Sequence, residues 1–509
     1  MQNKPYTYIS SLTLVVAGAA SLPASAAVGP ETYILREAVT LESVRSHQAE
    51  FQAIADANGG TREASSPGYQ ASVDYVASQM AAAGYEVTIQ EFDFPFFEEN
   101  IPATLEQIAP SPKLYDYFGV PNGFATMSYS GSGDVTAIAE GVDLVLPPAP
   151  DANTSTSGCE AEDFAGFTAG NIAVIQRGSC SFAQKATNAE NAGAVGVIIF
   201  NEGQPGRTDN FLGTLGGPGF TVPVVGASFE VGTELAAGGV AARMLVDAAS
   251  EIRTTSNVIA ESTEGRDDRV VVVGAHLDSV AEGPGIQDNG SGSAAILETA
   301  IQLASLGITP RNKLRFAWWG AEEAGLLGAE FYVANLSDRD IKNIALNLNF
   351  DMIGSPNFVR FVYDGDGSDT PQAGPNGSKV IESVFLKYFS EVGLPVEPTA
   401  FDGRSDYGPF IAVGIPAGGL FTGAEGIKTP DEAALYGGTA GDQYDPCYHL
   451  ACDTFDNISL EALDQMSDAV AHAVLTFAMT TSSVNGTDKG KGLGKFKNDM
   501  EYKGNKLVK

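Results

Sequence analysis

The sequence is poor in basic residues, in charge overall and in long apolar runs. It has 29 lysines and arginines against 63 aspartates and glutamates, a formal net charge of −34 over 509 residues. Such an acidic surface repels phosphate, so we expect neither nucleic acid nor an anionic membrane as a partner. Beyond residue 26, every apolar run is interrupted before the roughly 20 residues that a membrane-spanning helix needs. Because 44% of the residues are apolar and 18% charged, a disordered chain is excluded and about two to three domains can each bury a core.

Cysteine is also scarce, with four residues in two close pairs, Cys159 with Cys180 and Cys447 with Cys452. These pairs fit two local disulfides in an oxidising compartment, although four cysteines permit three pairings. A metal site made of all four thiolates is the alternative, but the C-x-x-C spacing typical of such sites is absent.

The first 26 residues have the order of a secretory signal. Lys4 precedes an apolar run over about residues 12–22, and small residues at Ala24 and Ala26 suit cleavage. A short membrane anchor is the alternative, but the run is shorter than a spanning helix. We therefore expect a protein secreted to the periplasm or the medium.

The apolar pattern changes along the chain. A helix over 74–84 and a strand over 86–94 predict an α/β opening. Short strands separated by Gly, Pro, Asn and Asp then predict a β-rich segment, and after residue 255 strands and helices alternate, which predicts a mostly parallel sheet flanked by helices. The predicted divisions are a signal peptide (1–26), a main domain in two parts (27–130 and 249–481), a β-rich insert (131–248) and a basic, Gly- and Lys-rich tail that is disordered or processed away (482–509).

Individual elements follow from the same patterns. The predicted strands of the insert cover 144–146, 172–175, 196–200 and 222–225, and its predicted helix covers 182–192. The predicted strands of the main domain cover 270–273, 313–318 and 346–350, and its later helices lie near 292–306, 323–335, 378–392 and 460–480.

Imidazole and carboxylate groups follow the ends of the main-domain strands. Because the carboxyl ends of parallel strands meet at one edge of a sheet, we expect these groups to converge. Each alone has an ordinary structural explanation, but together they would repel one another unless cations were bound, and mixed N and O ligands suit zinc. Two of the four histidines, His276 and His449, lie at these positions, whereas His47 and His472 lie in helical patterns and are predicted to be structural.

Six motifs resemble, in order, those of the secreted double-zinc aminopeptidases of the bacterial leucyl aminopeptidase and aminopeptidase Y type. They are the segments 275–280, 283–293, 316–323, 350–354, 402–406 and 447–449. The resemblance covers about residues 36–95 and 250–480, and segments 158–180 and 192–201 resemble a protease-associated domain. It implies the zinc exopeptidase fold, a mixed and mostly parallel sheet, with that domain inserted. The insert would either cover the mouth of the active site or add stability.

The resemblance also implies a role for each site residue. His276 and Asp351 would hold one zinc ion, Glu323 and His449 a second, and Asp288 would bridge the two. Asp278 would orient His276, Glu322 would be the general base, Tyr448 would stabilise the oxyanion, and Arg404 would hold a polar end of the substrate or product. Met352, Gly403 and Phe421 would line the pocket for the first side chain, which predicts a preference for Leu, Met or Phe. Asp464 and Asp468 match two calcium-binding carboxylates of some relatives, but the amino-terminal partner is replaced near Ala38, which argues against calcium.

These residues predict an exported, monomeric metallo-aminopeptidase that acts on peptides or proteins with a free N-terminus. A carboxypeptidase of the glutamate carboxypeptidase type is an alternative, but it needs a basic cluster, and Arg404 is the only obvious cation near the motifs. A glutaminyl cyclase would use one zinc ion, against which the five-ligand set argues. A non-catalytic binding protein would have lost ligands or the base, and none is lost here.

Overall fold

The computed structural model describes residues 31–118 and 121–485. The predicted signal peptide (1–26) and the tail from residue 486 lie outside the described residues. The tail prediction is wrong at its start, because Ser482–Asn485 form a short helix and the Asn485 side chain donates to the carbonyl oxygen of Ala345 at 2.9 Å. Among the described helices, none has both the length and the apolar content for a bilayer crossing.

The described strands form one continuous sheet of fourteen members. At its centre β9, β10, β11 and β14 pair in parallel, whereas β8 is antiparallel to β10 and β12 is antiparallel to β14. The predicted mixed, mostly parallel sheet is therefore confirmed. In chain order the strands are β1 Glu86–Ala109, β2 Lys113–Leu114, β3 Phe124–Thr126, β4 Gly133–Val142, β5 Ile172–Gln176, β6 Gly196–Phe200, β7 Val224–Ala227, β8 Val240–Glu261, β9 Arg266–His276, β10 Asn312–Trp319, β11 Ile344–Phe350, β12 Phe361–Tyr363, β13 Glu397–Thr399 and β14 Ala417–Phe421.

Two long antiparallel strands connect the main domain to the insert. β1 and β8 pair from Glu86 opposite Glu261 to Ala109 opposite Ala241. One end of β8 pairs with β10 of the main domain, and the other pairs with β4 of the insert. β8 therefore passes through the predicted boundary at residue 248 without interruption. The strand predicted over 144–146 is wrong, because β4 ends at Val142 and Asp143 has a φ of 42°, which turns the chain.

Helices cover both faces of the main part of the sheet. α6 and α12 pack on the face that carries Val271 and Val273, and α7 and α10 pack near Val270 and Val272 on the other. The helix predicted over 378–392 is found at those bounds. The helices are α1 Tyr33–Ala38, α2 Leu41–Ala57, α3 Pro67–Ala82, α4 Phe182–Asn191, α5 Phe229–Leu235, α6 Gly290–Ser305, α7 Leu327–Ala334, α8 Asp338–Asn343, α9 Ser378–Val392, α10 Tyr407–Ala412, α11 Pro430–Tyr436, α12 Leu460–Met479 and α13 Ser482–Asn485, with a short 3-10 helix at Ala161–Phe164.

Both histidines outside the motifs are structural, as predicted. In α2, the two ring nitrogens of His47 lie 2.7 Å from the Tyr75 hydroxyl and 3.1 Å from the Glu298 carboxylate. In α12, His472 Nδ1 lies 2.8 Å from the Thr32 hydroxyl, and the ring stacks on Tyr388. His472 therefore helps to hold the segment before α1 against α12.

Replacing His472 by glutamine should make the protein less sensitive to mild acid. Burial and, secondly, the charge of Arg36 lower the pKa of His472 to about 4. In the unfolded chain the pKa of a histidine is about 6.5. Between about pH 6.5 and 4 the unfolded state therefore binds more protons than the folded state, and the free energy of unfolding decreases as the pH falls. Glutamine does not titrate, so the fall in Tm from pH 7 to pH 5 should be smaller in His472→Gln than in the parent. An equal fall in both proteins would contradict this assignment.

Candidate metal centre

Five side chains meet where the central strands end. His276 is the last residue of β9, and Asp351 directly follows β11. Asp288 lies in the loop before α6, Glu323 lies in the turn after β10, and His449 lies in a loop between α11 and α12. All five line one cavity at the carboxyl edge of the sheet. The parallel arrangement thus brings together groups that are far apart in sequence.

Asp288 stands between two imidazole–carboxylate pairs. Its Oδ1 lies 3.1 Å from His276 Nε2, and its Oδ2 lies 3.3 Å from His449 Nε2. His276 Nε2 is also 3.3 Å from Asp351 Oδ1, and His449 Nε2 is 3.0 Å from Glu323 Oε2. Each oxygen of Asp288 therefore faces one pair, the arrangement expected of a carboxylate that bridges two cations.

The donor atoms of this centre fit metal ions. Asp351 Oδ1 and Glu323 Oε1 are buried and have no hydrogen-bond donor. A buried carboxylate oxygen without a donor is costly, and a cation removes that cost. Burial and the neighbouring charge of Asp288 raise the pKa of Glu323 to about 7. Imidazole nitrogens and carboxylate oxygens are ligands that zinc accepts.

The carboxylates around the two imidazoles raise the pKa of both His276 and His449. Burial lowers the pKa of His449, but its contacts with Asp288 and Glu323 outweigh burial and raise the pKa to about 11. Burial acts to raise the pKa of Asp288, but its hydrogen bonds with His276 and His449 outweigh burial and hold the pKa below its usual value. Positive charge therefore stabilises the carboxylates of the centre, and either protons or metal ions can supply it.

A tight turn presents Glu322 and Glu323. Ala321 has a φ of 55°, and the amide N–H groups of Gly325 and Leu326 donate to the carbonyl oxygen of Glu322. α7 begins only at Leu327, so the helix predicted from residue 323 is wrong at its start. The positive φ at Ala321 reverses the chain after β10, so the turn comes before the helix and α7 begins at Leu327.

Asp278 holds this turn as well as His276. Its two carboxylate oxygens accept the amide N–H groups of Glu322 and Glu323 at 3.2 and 3.3 Å. His276 Nδ1 lies 3.1 Å from the carbonyl oxygen of Asp278 and 3.6 Å from its carboxylate. The resemblance implied that Asp278 orients His276, but nothing in the sequence indicated that this side chain also supports the two glutamates.

Glycine allows α6 to approach β11 beside the centre. A Cβ atom at Gly292 would lie 2.2 Å from the carbonyl oxygen of Phe350, so any larger residue would push the first turn of the helix away. Asn289, the N-cap of α6, accepts the N–H of Gly292 and also that of Met352, and it donates to Phe350. The segments that carry Asp288 and Asp351 are therefore joined directly.

The cavity contains every predicted substrate-binding residue: Met352, Gly403, Arg404 and Phe421. Nothing in the sequence indicated a role for the other members of its wall, although Asp402 and Ser405 lie in the motif 402–406. Those members are Gly325, Leu326, Tyr363, Thr399, Ala400, Asp402, Ser405 and Ala424. All of the residues around this cavity lie between positions 276 and 449, so within the described chain the insert does not form its wall.

Arg404 and Tyr448 lie side by side at the mouth of the cavity. Arg404 Nη1 is 2.7 Å from the Glu425 carboxylate, and its Nη2 donates to the Tyr448 hydroxyl at 3.3 Å. The Tyr448 ring stacks on the His449 ring with centroids 3.8 Å apart. Nothing in the sequence indicated Glu425, which orients the guanidinium of Arg404.

Comparison with known proteins is consistent with this geometry. Residues 257–474 match peptidase family M28, and residues 141–235 match the PA domain. An aminopeptidase of Pseudomonas aeruginosa PAO1 is 49% identical over 435 residues, which cover 85% of this chain and 80% of that protein. The chain belongs to peptidase family M28. The predicted family, fold and enzyme class, an aminopeptidase, are thereby confirmed.

Other relatives of this M28 peptidase extend the comparison. Leucine aminopeptidase 2 of Trichophyton rubrum is 48% identical over 327 residues, or 63% of this chain and 65% of that protein. Among solved structures, the aminopeptidase of Aneurinibacillus sp. strain AM-1 has a TM-score of 0.63 and 29% identity and covers 87% of this chain and 95% of its own. A zinc aminopeptidase of Bacillus subtilis has a TM-score of 0.57 and 27% identity and covers 86% and 94%.

Both local disulfides of the M28 peptidase are present. Cys159 is bonded to Cys180 in the insert, and Cys447 is bonded to Cys452. The alternative of one site made of four thiolates is therefore wrong. The second disulfide closes the loop that carries Tyr448 and His449, while the first joins two segments of the PA match.

The predicted calcium residues lie away from the metal centre. Arg36 Nη1 is 3.9 Å from Asp468 Oδ2, and burial raises the pKa of Asp468 to about 6. Within the described residues, the clusters whose donor atoms could share an ion contain neither Asp464 nor Asp468. The absence of calcium there stays a prediction from the sequence.

Proposed function

We propose that this M28 peptidase is a two-zinc aminopeptidase with Glu322 as its general base. The observation that carries the proposal is the position of Asp288, with one carboxylate oxygen toward each imidazole–carboxylate pair. His276 and Asp351 would hold one ion, Glu323 and His449 the other, and Asp288 both. Bound zinc would polarise the scissile carbonyl and make water nucleophilic near neutral pH. The name of the Bacillus subtilis relative, a zinc aminopeptidase, supports this choice of metal.

Glu322 is suited to move a proton. Its side chain lines the cavity beside His276 and Asp351 and is 9% exposed. Burial raises the pKa of Glu322 well above its usual value. A carboxylate whose pKa is raised toward the working pH can take the proton of the attacking water and pass it to the leaving amine.

Tyr448 is suited to stabilise negative charge on the substrate oxygen. Because Arg404 donates to the Tyr448 oxygen, the hydroxyl proton is available for another acceptor. A donor fixed before the reaction costs little reorganisation when charge develops on the substrate. Glu425 fixes Arg404 in turn, which supports its predicted contact with a polar end of the substrate or product.

The cavity favours a peptide with a free amino terminus and an apolar first residue. Glu322 and Asp351 are the acidic groups that would recognise the amine. Met352, Gly403 and Phe421 would contact the first side chain, and we infer a preference for Leu, Met or Phe. A methylene in such a pocket is worth about 1–3 kcal/mol, so selectivity should be graded.

We also infer that the protein is exported and acts as a monomer. The two disulfides are compatible with an oxidising compartment. We keep the division of the chain at residues 130/131 and 248/249, since the PA match lies within those limits. Because none of the described residues of the insert lines the cavity, we infer that the insert acts on stability or on access from a distance.

Hydrolysis of leucyl-p-nitroanilide by the purified protein tests the proposal. We expect cleavage that is lost with a chelator and restored by zinc, and no cleavage of the N-acetylated substrate. An N-acetylated dipeptide with a free carboxylate serves as the matched substrate for the alternative activity. Its cleavage would indicate a carboxypeptidase, and full zinc occupancy without any cleavage would indicate a binding protein.

A further inference from the structure

A buried carboxylate that is not one of the candidate ligands accepts hydrogen bonds from the backbone of the loop that carries Asp288. Asp453 is 2% exposed, and its Oδ1 and Oδ2 accept the amide N–H groups of Gln287 at 2.8 Å and Asp288 at 3.0 Å. The N–H of Ile286 donates to the carbonyl oxygen of Asp453 at 3.1 Å. Three successive amides of this loop are therefore bound by one residue.

The same carboxylate is connected to the loop that carries His449. Asn457 Nδ2 donates to Asp453 Oδ1 at 3.2 Å and to Asp445 Oδ1 at 3.0 Å. Asp445 is fully buried, and its Oδ1 also accepts the N–H of Cys447 at 2.9 Å. Cys447 begins the disulfide loop. A continuous set of hydrogen bonds thus runs from the Asp288 backbone to the start of the His449 loop.

We propose that Asp453, with Asn457 and Asp445, positions Asp288 relative to His449, so that the bridging carboxylate and the imidazole can share one metal ion. Both ligands lie on irregular segments, and His449 has a φ of 57°, so regular secondary structure does not set their separation. Burying two carboxylates side by side is costly, which a role in metal binding would explain. The inference rests on the metal centre of the proposed function, and it concerns metal affinity, not contact with substrate.

Zinc affinity of Asp453→Asn tests this role. The amide keeps the size of the side chain but presents an NH₂ group to one of the two backbone N–H groups. We expect zinc affinity, measured by competition with a chelator, to fall about 10–100-fold, as for other groups that hold metal ligands. At saturating zinc, KM for leucyl-p-nitroanilide should stay within about twofold, because the substrate contacts are intact, and lost activity should return.

Glu190→Gln is the matched control. Glu190 Oε1 also accepts two successive backbone amides, those of Thr221 and Val222, but it lies in the insert. The Glu190→Gln variant should alter the stability of the protein without changing its zinc affinity. Unchanged zinc affinity in Asp453→Asn, or an equal fall in Glu190→Gln, would overturn the proposal.

If Asp453→Asn does not fold, the zinc affinity of Asn457→Ala tests the same role. This half-buried residue can be truncated with little loss of packing, and its removal breaks the connection between Asp453 and Asp445. A weaker but measurable loss of zinc affinity is expected, and no loss would overturn the proposal. Zinc binding is measured without substrate, so a parent that binds zinc but cleaves nothing contradicts the aminopeptidase alone. A parent that binds no zinc contradicts both.

Discussion

Replacing Glu322 by glutamine should lower kcat for leucyl-p-nitroanilide by about 10²–10⁴-fold while both metal ions stay bound. Glutamine has almost the same shape, so the turn held by Asp278 should persist. It cannot accept the proton of the attacking water, and the reaction loses its base. Steady-state kinetics together with metal analysis of the same sample measure both parts of this result.

Two variants of the same segment make the Glu322 result specific. Glu330→Gln, on the exposed face of α7, should retain full activity. Glu323→Gln should instead lose metal, because its Oε2 faces His449 at 3.0 Å. If Glu322→Gln keeps parental kcat, another residue is the base. If it loses metal as Glu323→Gln does, Glu322 is a ligand.

Replacing Asp288 by asparagine should weaken binding of both metal ions and abolish activity at ordinary zinc concentrations. The side chain faces both imidazoles, so one substitution removes a charge from two sites. Removing one partner of a buried ion pair costs about 3–5 kcal/mol, which corresponds to about 10²–10⁴-fold weaker binding. Metal content after dialysis against a graded series of chelator concentrations measures the change.

The control for Asp288→Asn lies in another acidic cluster of the same chain. Asp366 belongs to a group with Asp364 and Glu382 that could hold an ion by distance, but Lys379 already contacts Asp366. Asp366→Asn should leave zinc content and activity unchanged. If Asp288→Asn retains two zinc ions and parental activity, the bridging role is wrong.

Part of the centre could be foreseen because three of its five candidate ligands come at the ends of strands. His276 ends one apolar strand, Asp351 and the Glu322–Glu323 pair follow two others, and parallel strands direct such residues to one edge. Asp288 and His449 lie in loops, and their roles were implied by the resemblance alone. The local pattern could not show how the glutamates are presented. Leu327 and the residues after it have a helical pattern that extends back to Glu323, but the reversal at Ala321 and the hydrogen bonds to Asp278 replace the first helical turn with a tight one.

The residues that position the side chains of the centre were harder to predict than the candidate ligands. Asp453 and Glu425 lie in loops, where an acidic residue is ordinarily solvated, and each acquires its role from a partner distant in sequence. The same limit applies to β8. The predicted boundary at 248 follows the change from short strands to alternating strands and helices, yet pairing with β1 carries β8 from one domain into the other.

By itself, the sequence determined the class of fold, the convergence of imidazole and carboxylate groups, and the motifs whose resemblance to the double-zinc aminopeptidases implies five candidate ligands and the base, and it favoured local cysteine pairs among three permitted pairings. Those features depend on residue type and short-range order, which a single chain displays. The tertiary structure alone decided which oxygen of Asp288 faces which histidine, what holds the glutamate turn, and that the described part of the insert stands clear of the cavity. Such relations arise because distances of a few ångströms between distant segments depend on the packing of the whole sheet and its helices, and no local pattern records them.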